Sequence, residues 1–255
     1  MPPPTIDPTD PKALMQELFS DERWPKDRFA EHLGQPLLDL CEALATCFRL
    51  MGPLNEAATR VETKRNLLVG AFVFGVLDDL VISTKLLLTG KLPAAGNLMR
   101  QVVEGIAMSI LCSTDELLII DTKSKQPPVM ARYWEKVWDE DERTQGYRAV
   151  GQLGLNAVKL GVTADAVAQL RRAKKHYNAF SHCGTTTITH RVELHGARVF
   201  HLGGHFDEAK LKLYREELDS RIRLCQVLPA LMERLTATLT PPAAPVAPAQ
   251  RADSA

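Results

Sequence analysis

Arg171 and His176 stand in an RxxxxH spacing within a basic run, RRAKKHYNAFSHCG, from Arg171 to Gly184. A guanidinium can hold a scissile phosphate and neutralise the charge that develops on it. An imidazole can take or give the proton of a ribose 2′-hydroxyl or a leaving oxygen. The pair therefore suits RNA cleavage without a metal. On a helix five residues turn about 140°, so both would meet one substrate only in a groove, such as one formed across a dimer. A solvated basic face is the plainer reading. His182, between Ser181 and Cys183, is a second acid/base candidate. It could activate the Cys183 thiol only if the two made a dyad, which sequence neighbours rarely do.

Arg100 and Glu104 lie four apart on an apolar stretch, Ala94 to Cys112. They are either a buried ion pair or the floor of a site facing the helix of His176 and His182. Asp78 and Asp79 interrupt the apolar run before it and need partners if buried; Arg100 and Lys85 are the candidates.

Six of the seven histidines fall between His176 and His205. Paired across a hairpin, His190 and His201 could join His182 or His205 in offering three nitrogens to a metal. That is the alternative site, because CxxC, HExxH and the ExxH of di-iron bundles are all missing. With no phosphate loop, Rossmann glycine pattern or GxSxG, no cofactor is expected. There is no DNA-binding zinc motif either.

The elements that must position these residues are mostly helical. Leu37, Leu38, Cys41, Leu44, Ala45 and Phe48 make one stripe of a helix from Arg28 to Met51. Gly52-Pro53 should stop it. A second helix is expected from Glu56 to Leu88 and a third from Ala94 to Cys112, with Pro93 in its first turn. Both are apolar nearly all round, which indicates a bundle with a thick interior. A short helix over Leu117 to Ile120, a loop over Lys123 to Pro128 and a helix from Val129 to Asp141 follow. Glycines break residues 142 to 162 into a turn and one short helix. Thr163 caps a helix to Ser181, whose seam is Ala166, Leu170, Ala173, Tyr177 and Phe180.

Thr185 to Phe206 alternates and is rich in β-branched residues. It reads as a hairpin near 186–203, with His195-Gly196 as its turn. Asp207 opens the last helix, to Leu239. Its stripe is Leu211, Tyr214, Leu218, Ile222 and Cys225, its solvated surface includes Lys210, Glu216 and Glu217, and Pro229 should kink it.

The chain has 255 residues, is 45% hydrophobic and carries no formal net charge. That excludes a disordered or strongly basic nucleic-acid-binding composition. Residues 1–22 read as a flexible arm, 23–240 as a single helical domain and 241–255 as a Pro/Ala tail. The longest apolar run, Asn66 to Leu88, is broken by Asp78, Asp79 and Lys85, so it reads as a core helix rather than a membrane span. Five cysteines without CxxC, and no basic-then-apolar leader, point to reduced thiols in the cytoplasm.

Three pieces together carry a resemblance. They are AAGNLMRQVVEGIAMSIL (Ala94 to Leu111), RRAKKHYNAFSHCG (Arg171 to Gly184) and HLGGHFDEAKLKLYREEL (His201 to Leu218). The pattern, from about Lys64 to Leu239, resembles a broad group of uncharacterised bacterial helical proteins, some similar to the HEPN superfamily. The resemblance implies a helical bundle, often dimeric. It also implies metal-independent RNA cleavage of the toxin or phage-defence type, through an R-x4-6-H motif. Carried over, Arg171 and His176 become the catalytic pair, with His182, Arg100 and Glu104 beside them. The competing classes are a non-catalytic helical binding or scaffold protein and a histidine-based metal protein. The expected fold is mainly α, a helical bundle with a small antiparallel β-hairpin before the last helix. A homodimer is the expected assembly and RNA the candidate substrate.

Overall fold

The two most apolar helices form the centre of the bundle. In the computed structural model, which describes residues 7–123, 126–194, 201 and 203–239, they are α4 (Lys64–Leu88) and α5 (Leu92–Cys112). They pack chiefly on each other. Val69, Val73, Leu77 and Leu80 of α4 and Met99, Val102, Val103 and Ala107 of α5 are fully or nearly fully buried. The protein is mainly α, with one short antiparallel pair among the described residues, before the final helix.

Before them run α1 (Pro11–Leu18), α2 (Arg23–Arg49) and α3 (Met51–Arg60). α2 starts earlier than its apolar stripe indicates and bends at Leu33 (φ −134°, ψ 23°), three residues before Pro36. Proline has no N–H to give and crowds the carbonyl four residues back, so the bend falls there. Gly52-Pro53 does not end the helical path; Pro53 sits in the first turn of α3, where its missing N–H costs nothing. The single helix expected over Glu56 to Leu88 is two. Val61 leaves helical geometry, and the Thr63 hydroxyl accepts the Asn66 N–H at 3.1 Å to start α4 afresh.

The antiparallel pair is β1 (Leu117–Asp121) with β2 (Val129–Arg132), in place of the short helix expected over Leu117 to Ile120 and the first turn of the helix expected from Val129 to Asp141. Leu118 and Ile120 are buried while Leu117 is exposed, which is period two. The Asn156 side chain completes the edge: it accepts the Ile119 N–H at 2.8 Å and donates to the Ile119 carbonyl at 2.9 Å. Pro127-Pro128 keeps a helix from running into Val129. Next come α6 (Tyr133–Trp138), α7 (Gly146–Asn156) and α8 (Ala164–Asn178). As read from sequence, Thr163 caps α8, accepting the Ala166 N–H at 3.2 Å.

The hairpin placed near 186–203 is not what opens this region. Thr185–Thr189 is one turn of helix, α9, in place of the first strand. The Thr187 hydroxyl accepts the Gly184 N–H at 3.0 Å and donates to the Gly184 carbonyl at 2.8 Å, closing the turn. A threonine-rich run thus goes helical because one hydroxyl satisfies the helix start. The turn residues His195 and Gly196 lie outside the described residues, but the two ends do approach. The His201 N–H points at the Arg191 carbonyl at 3.5 Å. The final helix, α10 (Leu211–Leu239), packs mainly along α2 and contains Pro229.

Candidate functional site

α8 divides the residues singled out from sequence. Arg171 lies against α7: a Cβ built at Gly154 would fall 2.2 Å from its Nη2. His176 faces α10 instead, its Nε2 3.0 Å from Glu217 Oε1. The RxxxxH pair therefore engages two different neighbours and does not converge within one chain. His182 is exposed and makes no hydrogen bond or ion pair among the described residues.

Arg100 and Glu104 do pair, Nε to Oε1 at 2.9 Å, with side chains 24% and 12% exposed. Glu104 sits over Gly146 at the start of α7. Lys174 of α8 is close enough that the Glu104 and Arg100 charges act on it, although burial is what chiefly lowers its pKa. The structure thus puts Arg100–Glu104 in the seam of α5, α7 and α8. Asp78 and Asp79 form no ion pair with Arg100 or Lys85 among the described residues.

His176 ends a buried charged chain. Its side chain is 54% exposed, whereas Glu217 is 5% exposed and Arg221 fully buried. Arg221 Nη1 donates to Glu217 Oε2 at 2.7 Å, and its Nη2 donates to Ser83 Oγ at 2.8 Å. The Tyr177 hydroxyl donates to Glu217 Oε2 at 3.3 Å. Burial alone would raise the Glu217 pKa; the His176 hydrogen bond and the Arg221 charge outweigh it and hold it below the usual carboxylate range. The Glu217 hydrogen bond correspondingly raises His176, against partial burial. Sequence reading placed Glu217 on the solvated surface and overlooked Arg221. Both fit the spacing of Tyr214, Leu218, Cys225 and Leu228, so they occupy core positions of α10.

Beside this chain lies a cavity of about 360 Å³. It opens between the α4–α5 turn (Gly90 to Ala94) and the segments around residues 190–192 and 201–210. Its described lining carries His190, His201 and His205, three cations (Lys91, Arg191, Lys210) and no carboxylate. Two cations are matched from behind: Lys91 pairs with Glu22, and Lys210 lies 3.6 Å from Asp207 while donating to the Val192 carbonyl at 2.6 Å. Arg191 has no ion-pair partner among the described residues. His190 Nδ1 and His201 Nε2 are buried without a hydrogen-bond partner among the described residues, although Glu193 approaches the latter at 3.9 Å. A buried polar atom left this way costs on the order of 1–3 kcal/mol.

The cavity is held by rings and by backbone. Trp24 stacks on His205 (5.4 Å), His205 on His201 (3.6 Å), and Phe180 on His190 (5.4 Å). Gly90 (φ +75°) and Gly204 let the α4–α5 turn cross the 203–205 segment backbone to backbone. A Cβ at Gly90 would sit 2.0 Å from the His205 carbonyl oxygen, and one at Gly204 1.5 Å from that of Thr89.

His190, His201 and His205 share this cavity, but no three His, Cys, Asp or Glu side chains among the described residues are arranged to hold a metal. The His201 and His205 rings are stacked 10° from parallel, so their in-plane lone pairs run side by side instead of meeting at one ion. Burial, with the neighbouring His201, depresses His205 to about 4. Burial and then Lys210 lower His190. At neutral pH both are neutral rings, each with one donor and one acceptor.

A pH dependence follows. A depressed histidine pKa means the unfolded chain takes the proton first, so stability falls as pH drops from about 6.5 to about 4. His176, with its raised pKa, acts oppositely: it adds stability on the acid side, lost as pH rises through its folded-state pKa. His205→Asn should flatten the acid loss of Tm between those two pH values, measured by circular dichroism. An unchanged acid slope would contradict the assignment.

No protein-family model matches the chain, and no curated protein or solved structure matches it significantly. The class is therefore defined by its own features: a helical bundle with a buried Arg–Glu–His chain next to a histidine-lined cavity.

Proposed function

We propose that this is a helical ligand-binding protein whose cavity takes a small organic anion, a carboxylate or phosphate ester. The supporting observation is the pair of imidazole nitrogens, His190 Nδ1 and His201 Nε2, that make no hydrogen bond among the described residues, on a cavity whose described lining has cations and no carboxylate. A ring nitrogen of this kind takes part in one hydrogen bond with a ligand at each of these atoms. Arg191, with no ion-pair partner among the described residues, supplies a charge and the bidentate geometry that carboxylate and phosphate favour. The volume suits a compact molecule, near the lower end of the range of about 300–1,000 Å³ for ligand sites.

The test is thermal denaturation with inorganic phosphate, short dicarboxylates and nucleoside monophosphates. At least one should raise Tm saturably in the wild type and not in Ala94→Trp, which fills the cavity. No shift from any of them, or equal shifts in both proteins, would overturn the reading.

A second reading, metal-independent RNA cleavage, keeps one specific support. His176 is solvent-reached and oriented by a buried carboxylate, the arrangement that makes an imidazole a general acid or base. On that reading a single-stranded RNA is cut, and His176→Ala and Arg171→Ala abolish cutting while retaining the fold. Arg171 would then have to act across two copies of the chain, since it faces α7 and not α10.

A further inference from the structure

The outer face of α4 is apolar and uncovered. Leu67 (40% exposed), Phe74 (54%) and Ile82 (39%) lie on it. Ala71, Asp78 and Lys85 are exposed on the same stripe. The steps 67, 71, 74, 78, 82, 85 are threes and fours, so the six residues form one line along the helix. Single exposed apolar residues are ordinary, but here Leu67, Ala71, Phe74 and Ile82 share one line along a central helix with two charges between and beyond them.

Its two charges identify the occupant. Asp78 and Lys85 are seven residues apart, two turns or about 10 Å on the same face. Neither has an ion-pair partner among the described residues. A second copy of the stripe, laid antiparallel about a two-fold axis between Val81 and Ile82, sets Asp78 of each copy against Lys85 of the other. Ile82 then meets Ile82 across the axis, and Phe74 covers the end of the partner's α4. A parallel arrangement would instead set Asp78 against Asp78. The stripe is therefore complementary to itself in one orientation, as a two-fold interface must be. The setting of Asp79 agrees: burial raises its carboxyl, and the adjacent Asp78 charge raises it further. A cation brought to this spot would relieve both. The same helix is long and apolar enough to cross a membrane, but this face carries Asp78 past its middle and Lys85 in its last turn.

We propose that the protein forms an antiparallel homodimer through the Phe74–Lys85 part of this face of α4, in register by reciprocal Asp78–Lys85 pairs.

Sedimentation equilibrium of the full chain tests this. The wild type is expected to be dimeric at micromolar concentration, and Phe74→Glu monomeric with an unchanged circular dichroism spectrum. Asp78→Lys should weaken the dimer by about tenfold or more, since it sets like charges together twice. The double variant D78K/K85D should restore it. The restoration separates register from general damage. A monomeric wild type, a dimer indifferent to Phe74→Glu, or a double variant no better than Asp78→Lys would each overturn the proposal. So would a monomer that binds phosphatidylcholine vesicles through Phe74, which would make the face a membrane surface.

Discussion

Arg221→Met should lower stability by about 3–5 kcal/mol, on the order of 10 °C in Tm for a domain of this size. Arg221 is fully buried, and its guanidinium ties α10 to α4 through Ser83 while neutralising Glu217. Methionine fills similar volume but leaves the Glu217 carboxylate with only His176 and Tyr177. A buried charge stripped of its main partner is the expensive half of an ion pair. The double variant Glu217→Gln, Arg221→Met removes charge on both sides. It should cost clearly less than the sum of the single changes, since residues in one network are not additive. Urea denaturation of the four proteins makes the comparison. A loss below about 1 kcal/mol for Arg221→Met would mean that solvent reaches the pair.

Gly90→Ala is expected to cost about 2–4 kcal/mol and to abolish ligand stabilisation. Gly90 holds φ +75°, and its added Cβ would meet the His205 carbonyl oxygen at 2.0 Å. Backbone cannot yield as a flexible side chain does, so the α4–α5 turn and the 203–205 segment must separate. Those segments are two walls of the cavity. Gly204→Ala should act alike from the other side, against the Thr89 carbonyl. Gly151→Ala is the control. Nothing lies within 4 Å of its Cβ position and it is inside α7, so a gain of roughly 0.5–1 kcal/mol is expected. If Gly90→Ala and Gly204→Ala were as well tolerated as Gly151→Ala, the crossing described here would be wrong.

The helical frame was legible because its signals are local. The α8 start could be read from Thr163, the α5 start from Pro93 and the α10 core stripe from Tyr214, Leu218 and Cys225. The β1–β2 pair was not, because a five-residue apolar run fits helix or strand equally. It is decided by Asn156, 37 residues away from Ile119. The helical turn at Thr185–Thr189 hid behind β-branched residues, whose preference yields to local hydrogen bonding. Of the site, the histidine cluster was legible as a cluster. Its partners were not. Lys210, Glu217 and Arg221 look like the solvated charges around them until tertiary packing buries them. Arg171 and His176 share a motif in sequence, but 140° of helix sends them to different neighbours.

The cavity as an anion site is tested most directly by ring-nitrogen NMR of [15N]histidine-labelled protein. The titrants are inorganic phosphate, succinate and a nucleoside monophosphate, added at constant ionic strength. The expected result is that at least one moves the His190 and His201 ring signals saturably, with both nitrogens gaining hydrogen-bonded shifts, while exposed His182 stays still. If all three leave His190 and His201 unmoved, or move His182 equally, the cavity is not the binding site proposed here.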